Sequence, residues 1–281
     1  MSTAEKGTLY VCATPIGNLG DITLRVLEVL REVDVIAAED TRHSRKLLEH
    51  FGITTPLTSY HQHNEKGKSQ ELLRRLQDGE SIALISDAGM PGISDPGYEV
   101  IHMCLEEKVP LDVLPGPNAG VTALVLSGLP SEHFLFHGFL PATQSARKRE
   151  LEKYARLPFT QIFYEAPHRL VDTLNNMIEV CGDQEAAVVR ELTKIHQTVH
   201  RGLLTKLLTE FQATPPRGEI CLLLAPFKEQ PVQGGPEDWK REVEEGIKQG
   251  HQPKEVMKYV AQKYGVSKRD VYQATLEGKG K

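Results

Sequence analysis

Ser86-Asp87-Ala88-Gly89-Met90-Pro91-Gly92-Ile93-Ser94-Asp95-Pro96-Gly97 is the stretch on which the reading of this chain turns. A plain turn needs one or two special residues. Here Gly89, Gly92 and Gly97 stand together with Pro91 and Pro96. Glycine allows positive φ and close backbone approach to a ligand, and proline stiffens the path between. Such a loop can offer backbone N–H and C=O groups to a polar small molecule. It follows an apolar run at 81–85 that reads as a buried strand, and it precedes a helix reaching about residue 108. Open α/β sheets hold their ligands at the carboxyl ends of strands, where this loop stands.

Outward from the loop the same alternation continues. Apolar runs at 9–13, 35–38 and 111–114 read as strands, and 57–60 is a further candidate strand. Asp21 is placed to cap a helix whose apolar face is Ile22, Val26, Val29, Leu30 and Val33. Helices at 41–51 and 69–78 are stopped by Gly52 and Gly79. The turn Pro115-Gly116-Pro117-Asn118 opens a second half with an apolar helix at 119–127. Strands are expected there at 134–138, 161–164, 187–189 and 220–224, and helices at 144–156, 168–180 and 203–211. Strands that are continuous apolar runs between helices imply an α/β class with both sheet faces covered. The pattern predicts two α/β lobes, 8–116 and 117–227, with the loops 14–18, 86–97 and 115–118 lining one cleft.

A linker is expected at 228–236, where Pro231, Gly234, Gly235 and Pro236 cluster. Beyond it, 237–281 reads as a small helical module. One helix starts near Trp239. A second starts at Pro253, turns Val256, Tyr259 and Val260 inward, and stops at Gly265. Ser267 with Asp270 forms a capping-box pattern for a third, with Val271, Tyr272 and Leu276 inward. Helix, glycine turn, helix is the helix-turn-helix pattern. Residues 246–281 carry eight Lys+Arg against three Asp+Glu, while 1–245 carry 25 against 35. A basic end on an acidic body hints at a polyanionic partner, with Lys268 and Arg269 placed to meet phosphates; a plain packing module is the alternative.

Composition removes several classes. The 281 residues are 40% hydrophobic and 25% charged with net charge -5, which fits a globular chain rather than a fibrous or disordered one. Its longest apolar runs are strand-length, well short of the roughly 18 residues a membrane span needs, so no membrane partner is expected. The four cysteines lie far apart, against a disulfide framework and in keeping with a reducing cytoplasm. Neither a G-x-x-x-x-G-K-[ST] loop nor a G-x-G-x-x-G after the first strand is present. His61 and His63 share a strand face but have no third ligand, so no metal is expected. Polar clusters do stand at strand ends, where function concentrates: Glu39-Asp40-Thr41-Arg42-His43, His61-Gln62-His63-Asn64-Glu65 and Glu165-Ala166-Pro167-His168-Arg169.

In the loop 86–97, together with Thr14-Pro15-Ile16-Gly17-Asn18-Leu19-Gly20-Asp21, Ala38-Glu39-Asp40-Thr41-Arg42, Leu114-Pro115-Gly116-Pro117-Asn118 and Tyr164-Glu165-Ala166-Pro167-His168-Arg169, the chain resembles the ribosomal RNA small-subunit methyltransferase I family. The resemblance runs from about residue 8 to 226 and implies a two-lobed, tetrapyrrole-methylase-like fold. It implies S-adenosylmethionine in the cleft, a homodimer in the cytoplasm, and methyl transfer to the ribose 2′-hydroxyl of a cytidine at the decoding centre of 16S rRNA in the 30S subunit. Cofactor contacts are implied at Pro15, Ser86, Asp87, Ile93, Asn118 and Ala119, with Tyr164 and Leu192 at second-lobe positions. A ribose hydroxyl is a poor nucleophile until its proton leaves, and Asp40, His63 and Glu165 are the candidate bases. Arg42, Arg169 and Arg217 are candidates to hold RNA phosphates. Two rivals share these features: methylation of a small molecule such as a tetrapyrrole, and a non-enzymatic regulator that binds DNA through the helix-turn-helix.

Overall fold

The computed structural model describes residues 4–228 and 233–276. The chain splits into two compact units, Met1–Pro226 and Phe227–Lys281. Part of the expected linker, including Pro231, and the last five residues lie outside the described residues.

The first unit begins with a five-stranded sheet. Its elements in chain order are β1 (Leu9–Cys12), α1 (Leu24–Glu32), β2 (Val35–Ala38), α2 (Thr41–His50), β3 (Leu57–Ser59), α3 (Glu65–Gln77), β4 (Ile82–Ile85), α4 (Tyr98–Glu106) and β5 (Leu111–Leu114). The strand order is β3-β2-β4-β1-β5, and every pair is parallel. Parallel neighbours need crossovers, and the helices that make them cover both faces. Alternate side chains divide accordingly. Tyr10, Cys12, Ile36 and Ala38 pack with Val26, Leu30 and Leu48 on one face. Leu9, Val11, Val35 and Ala37 pack with Leu72, Leu76 and Val100 on the other.

The second sheet follows: α5 (Ala119–Ser127), β6 (Phe134–Phe139), α6 (Gln144–Tyr154), β7 (Thr160–Glu165), α7 (Leu170–Cys181), β8 (Glu185–Arg190), β9 (Thr198–Leu203), α8 (Leu204–Ala213) and β10 (Ile220–Leu224). Its order is β6-β7-β10-β8-β9. Only β6 and β7 are parallel; the remaining pairs are antiparallel. On one face Phe163, Val188 and Leu222 meet α6, α7 and α8. On the other, Ile162, Ala187, Val189, Cys221 and Leu223 meet α5 and, from the first half of the chain, Ile16.

Three expectations need correction. The cap of α1 is Thr23, whose hydroxyl accepts from Val26 N at 3.2 Å; Asp21 sits in a separate short turn, because Ile22 is extended and delays the helix. Strand β9 has no counterpart in the sequence reading. Its residues Thr-Val-His-Arg-Gly-Leu are half-exposed at the sheet edge and form no apolar run. In the second unit, α9 (Pro236–Lys248), α10 (Pro253–Tyr264) and α11 (Lys268–Leu276) pack through Val243, Val256, Val260, Tyr264 and Val271. Tyr259, Tyr272 and Leu276, expected inside, are 61%, 50% and 49% exposed. The buried stripe of α10 follows a four-residue step, and Tyr259 falls beside it. The expected caps do form: Gly265 closes α10 in the left-handed region, and Ser267 and Asp270 bond each other reciprocally. No helix among the described residues is long and apolar enough to cross a membrane.

Candidate active site

Three loops meet at the carboxyl ends of the first sheet's strands. Thr14 and Gly89 exchange backbone hydrogen bonds at 2.9 and 3.0 Å, and the Thr14 hydroxyl donates to Ser86 O at 3.0 Å. The third loop closes in through Gly116, where a Cβ would stand 2.8 Å from Ala13 Cβ, so only glycine lets the two chains approach. Against these loops the second sheet turns the strand face that carries Tyr164, Val189 and Cys221. Between them lies a cavity of about 400 Å3, the size of a small-molecule site. Three of the four non-glycine residues with positive φ among the described residues are here: Ser94 in the loop, and Glu191 and Thr193 on either side of Leu192. Backbone strain of this kind concentrates at ligand clamps.

The expected cofactor residues divide into two sets. Ile93, Asn118, Ala119, Tyr164 and Leu192 line the cavity. Pro15, Ser86 and Asp87 stand behind its surface, Pro15 and Ser86 buried and Asp87 turned toward β2. Asn118 accepts from Val121 N at 2.9 Å and so caps α5, whose first residues face the cavity. The Tyr164 hydroxyl accepts from Gly120 N at 3.2 Å, and burial pushes its pKa up to about 12.

The candidate bases do not converge. Asp40 caps α2, accepting from Arg42 N at 2.8 Å, and the Arg42 guanidinium beside it holds its carboxyl below the usual range. His63 is exposed in the turn before α3, away from the cavity lining. Glu165 lies at the rim in backbone only. Strand alternation that aims Tyr164 into the cleft sends the next side chain to the opposite face. There its fully buried carboxylate pairs with Arg169 at 3.1 Å, accepts from Thr173 at 2.6 Å, and closes a network with Arg147 and Asn176. Arg169 also donates to Leu140 O and Pro141 O, so its guanidinium is engaged inside the fold. Arg42 and Arg217 are exposed, as are Lys268 and Arg269 on α11 of the second unit.

An acidic group that the sequence reading quoted without a role stands in the cleft. Asp95 lines the cavity, and burial followed by the charge of Glu39 raises its pKa to about 7. Glu39 is raised by burial too, and its carboxylate accepts from Asp87 N at 3.4 Å. Asp87 in turn accepts from Asp40 N at 3.1 Å. The ends of β2 and β4 therefore hold a chain of carboxylates behind Asp95. Ile16, Val189, Ile220 and Cys221 are further lining residues that the sequence reading missed. Strand alternation could have supplied Val189 and Cys221 once the pairing of β8 with β10 was known. Among the described residues no three His, Cys, Asp or Glu side chains are grouped to hold a metal ion.

Comparison with known proteins adds a family match, two relatives and a similar solved structure. Residues 8–208 match the tetrapyrrole (corrin/porphyrin) methylases. The chain is 46% identical over 275 residues to the ribosomal RNA small subunit methyltransferase I of Halalkalibacterium halodurans, covering 95% of this chain and 94% of that one. It is 42% identical over 276 residues to the protein of the same name from Bacillus subtilis, covering 96% and 94%. Among solved structures, the uroporphyrin-III C-methyltransferase of Thermus thermophilus, crystallised with S-adenosylhomocysteine, superposes with a TM-score of 0.54 at 18% identity, covering 78% of this chain and 97% of that one.

Proposed function

This chain belongs to the tetrapyrrole methylase family, in the group of the ribosomal RNA small subunit methyltransferases I, and from that premise we propose that it moves the methyl group of S-adenosylmethionine to the ribose 2′-hydroxyl of a cytidine in 16S rRNA. The observation that carries the reading is the identity of 46% running through both compact units, the basic helical module included. A tetrapyrrole acceptor has less support, since the relatives that match the whole chain are named for ribosomal RNA.

The cavity fits the donor. Its volume of about 400 Å3 and its apolar second-sheet wall suit a nucleoside, and the positive-φ loop brings backbone groups to its edge. S-adenosylmethionine supplies a methyl already activated on a positive sulfur. What remains for the protein is to hold the reacting atoms in line and to take a proton. Asn118, Ala119, Ile93 and Leu192 would grip the nucleoside, with Tyr164 fixed beside them by Gly120 N.

The acceptor is read as folded 16S rRNA within the 30S subunit, met in the cytoplasm. Arg217, Lys268 and Arg269 are exposed and would face phosphates, as would Arg42 if it exchanged its partner Asp40 for one, and such contacts would make binding fall with salt. A homodimer would gather such surfaces from two copies onto one RNA. The test is transfer of tritiated methyl from the donor to purified 30S subunits, against a porphyrinogen acceptor, followed by mapping of the labelled nucleotide. Label on a cytidine ribose of 16S rRNA is expected; label on the porphyrinogen alone would replace this reading with the small-molecule one.

A further inference from the structure

The inference rests on the methyl-transfer reading above and asks where the hydroxyl proton goes. Five side chains that can titrate belong to residues lining the cavity: Asp95, Tyr164, Glu165, Glu219 and Cys221. Four of them are committed elsewhere. The Glu165 carboxylate lies on the far face of β7, held by Arg169 and Thr173. The Tyr164 hydroxyl is bonded to Gly120 N, and burial raises it to about 12. Cys221 is 6% exposed and is likewise pushed up to about 12 by burial. Glu219 is at the open rim, its side chain 73% exposed and paired with Lys194 at 3.1 Å. Asp95 alone carries a carboxylate at the cavity without a cationic partner among these contacts.

We infer that Asp95 is the group that takes the ribose hydroxyl proton during methyl transfer. The 86–97 loop presents it at the cavity beside the residues proposed to hold the donor, Ile93 on its own loop and Tyr164 across the cleft. In the step, the hydroxyl O–H breaks and its proton passes to the Asp95 carboxylate. The oxygen forms a bond to the methyl carbon, and the carbon–sulfur bond breaks with its electron pair staying on sulfur. The neutral thioether leaves, and Asp95 returns its proton to solvent.

The groups facing Asp95 suit it to that role. The Ser86 hydroxyl on the loop floor lowers the Asp95 pKa and partly offsets the rise from burial. Glu39 at the end of β2, Asp87 after β4 and Tyr164 on β7 are the other titratable neighbours, and none is a cation. Burial and the Glu39 charge raise the group to about 7, where a base is both ionised and strong enough to accept a proton at neutral pH. Because only the ionised form accepts, kcat should fall as pH drops through about 7.

The experiment compares wild type with Asp95→Asn, a near-isosteric change. Three measurements are made: binding of S-adenosylhomocysteine by calorimetry, single-turnover methylation of 30S subunits across pH, and carbon-13 NMR titration of the aspartate carboxyls. The expected result is retained binding, a rate lower by about 10²–10⁴-fold, loss of the acidic limb, and loss in the variant of one carboxyl resonance that titrates near neutrality. A variant with wild-type turnover overturns the assignment. So does a variant that no longer binds the thioether, since Asp95 would then hold the donor rather than the proton. A wild type that binds the thioether yet labels no RNA brings down the functional reading, and this role with it.

Discussion

The two walls of the cleft are made of different material. One is the loop 86–97, backed by the carboxylates of Glu39 and Asp87 and carrying Asp95. The other is the face of a mixed sheet, presenting Val189 and Cys221, with Leu192 just beyond β8 and a single fixed hydroxyl on Tyr164. Apart from Glu219 at the exposed rim, each wall contains one acid, and only the loop's acid faces the cavity. Glu165 belongs to a strand, and the two-residue period of strands decides where it points. Loops can aim a polar group wherever backbone conformation permits; sheets give shape and bury their polar groups in pairs. The proposed chemistry therefore sits on the first wall and the fit of the nucleoside on the second.

The strongest way to break that comparison is Glu165→Ala. It removes the acceptor of Arg169 and Thr173 inside the fold. Breaking one side of a buried pair costs about 3–5 kcal/mol, to be read as a lower urea midpoint. If stability held while methyl transfer collapsed, the carboxylate would be working in the cleft after all, and the contrast between the walls would be lost. Next in size is Gly97→Ala, which tests the first wall. Gly97 has φ +149°, and a Cβ there would stand 2.8 Å from Gly92 N. Strain of about 1–3 kcal/mol is expected, together with weaker binding of S-adenosylhomocysteine by calorimetry, because relief of the clash must move the loop.

These two variants also mark what the sequence made legible. The loop is a local object: its glycines, prolines and aspartates lie within one stretch, and the strand before it and the helix after it follow from apolar patterning. The three central strands β2, β4 and β1 were readable as short apolar runs because they are buried on both faces, while the edge strands β3 and β5, each carrying a polar residue, gave a weaker signal. The second wall depends on pairings between residues as distant as Tyr164 and Cys221, which no local pattern encodes. For the same reason β9 escaped notice, and Glu165 looked like a base: in sequence it adjoins Tyr164, while in space the two occupy opposite faces. Asp95 was in plain view, but what distinguishes it is burial beside Glu39, a residue 56 positions earlier.

Leu192→Ala sharpens the second wall. Leu192 is 7% exposed, packs with Ile16 and Val189, and is flanked by two residues held at positive φ. Truncation should weaken S-adenosylhomocysteine binding about tenfold, equivalent to about 1.4 kcal/mol, while leaving the acid limb of the pH–rate profile in place. A change in that limb would mean that the apolar wall also tunes the acid opposite it.

The smallest effect is expected where neither wall is touched. Helix α1 contributes no residue to the cavity lining, and its cap is the Thr23 hydroxyl on Val26 N. Thr23→Ala should cost about 1 kcal/mol, whereas Asp21→Ala, in the exposed turn before it, should stay within about 0.5 kcal/mol. Both variants should bind S-adenosylhomocysteine as the wild type does, which calorimetry can check alongside the urea curves. Their ratio distinguishes the observed cap from the one that the sequence suggested. Their binding provides the baseline for the cleft variants: if loosening α1 by about 1 kcal/mol already weakened the donor site, the loss in Gly97→Ala could not be assigned to the loop, since the turn at 14–18 leads directly from that loop's hydrogen-bonded neighbour Thr14 toward α1.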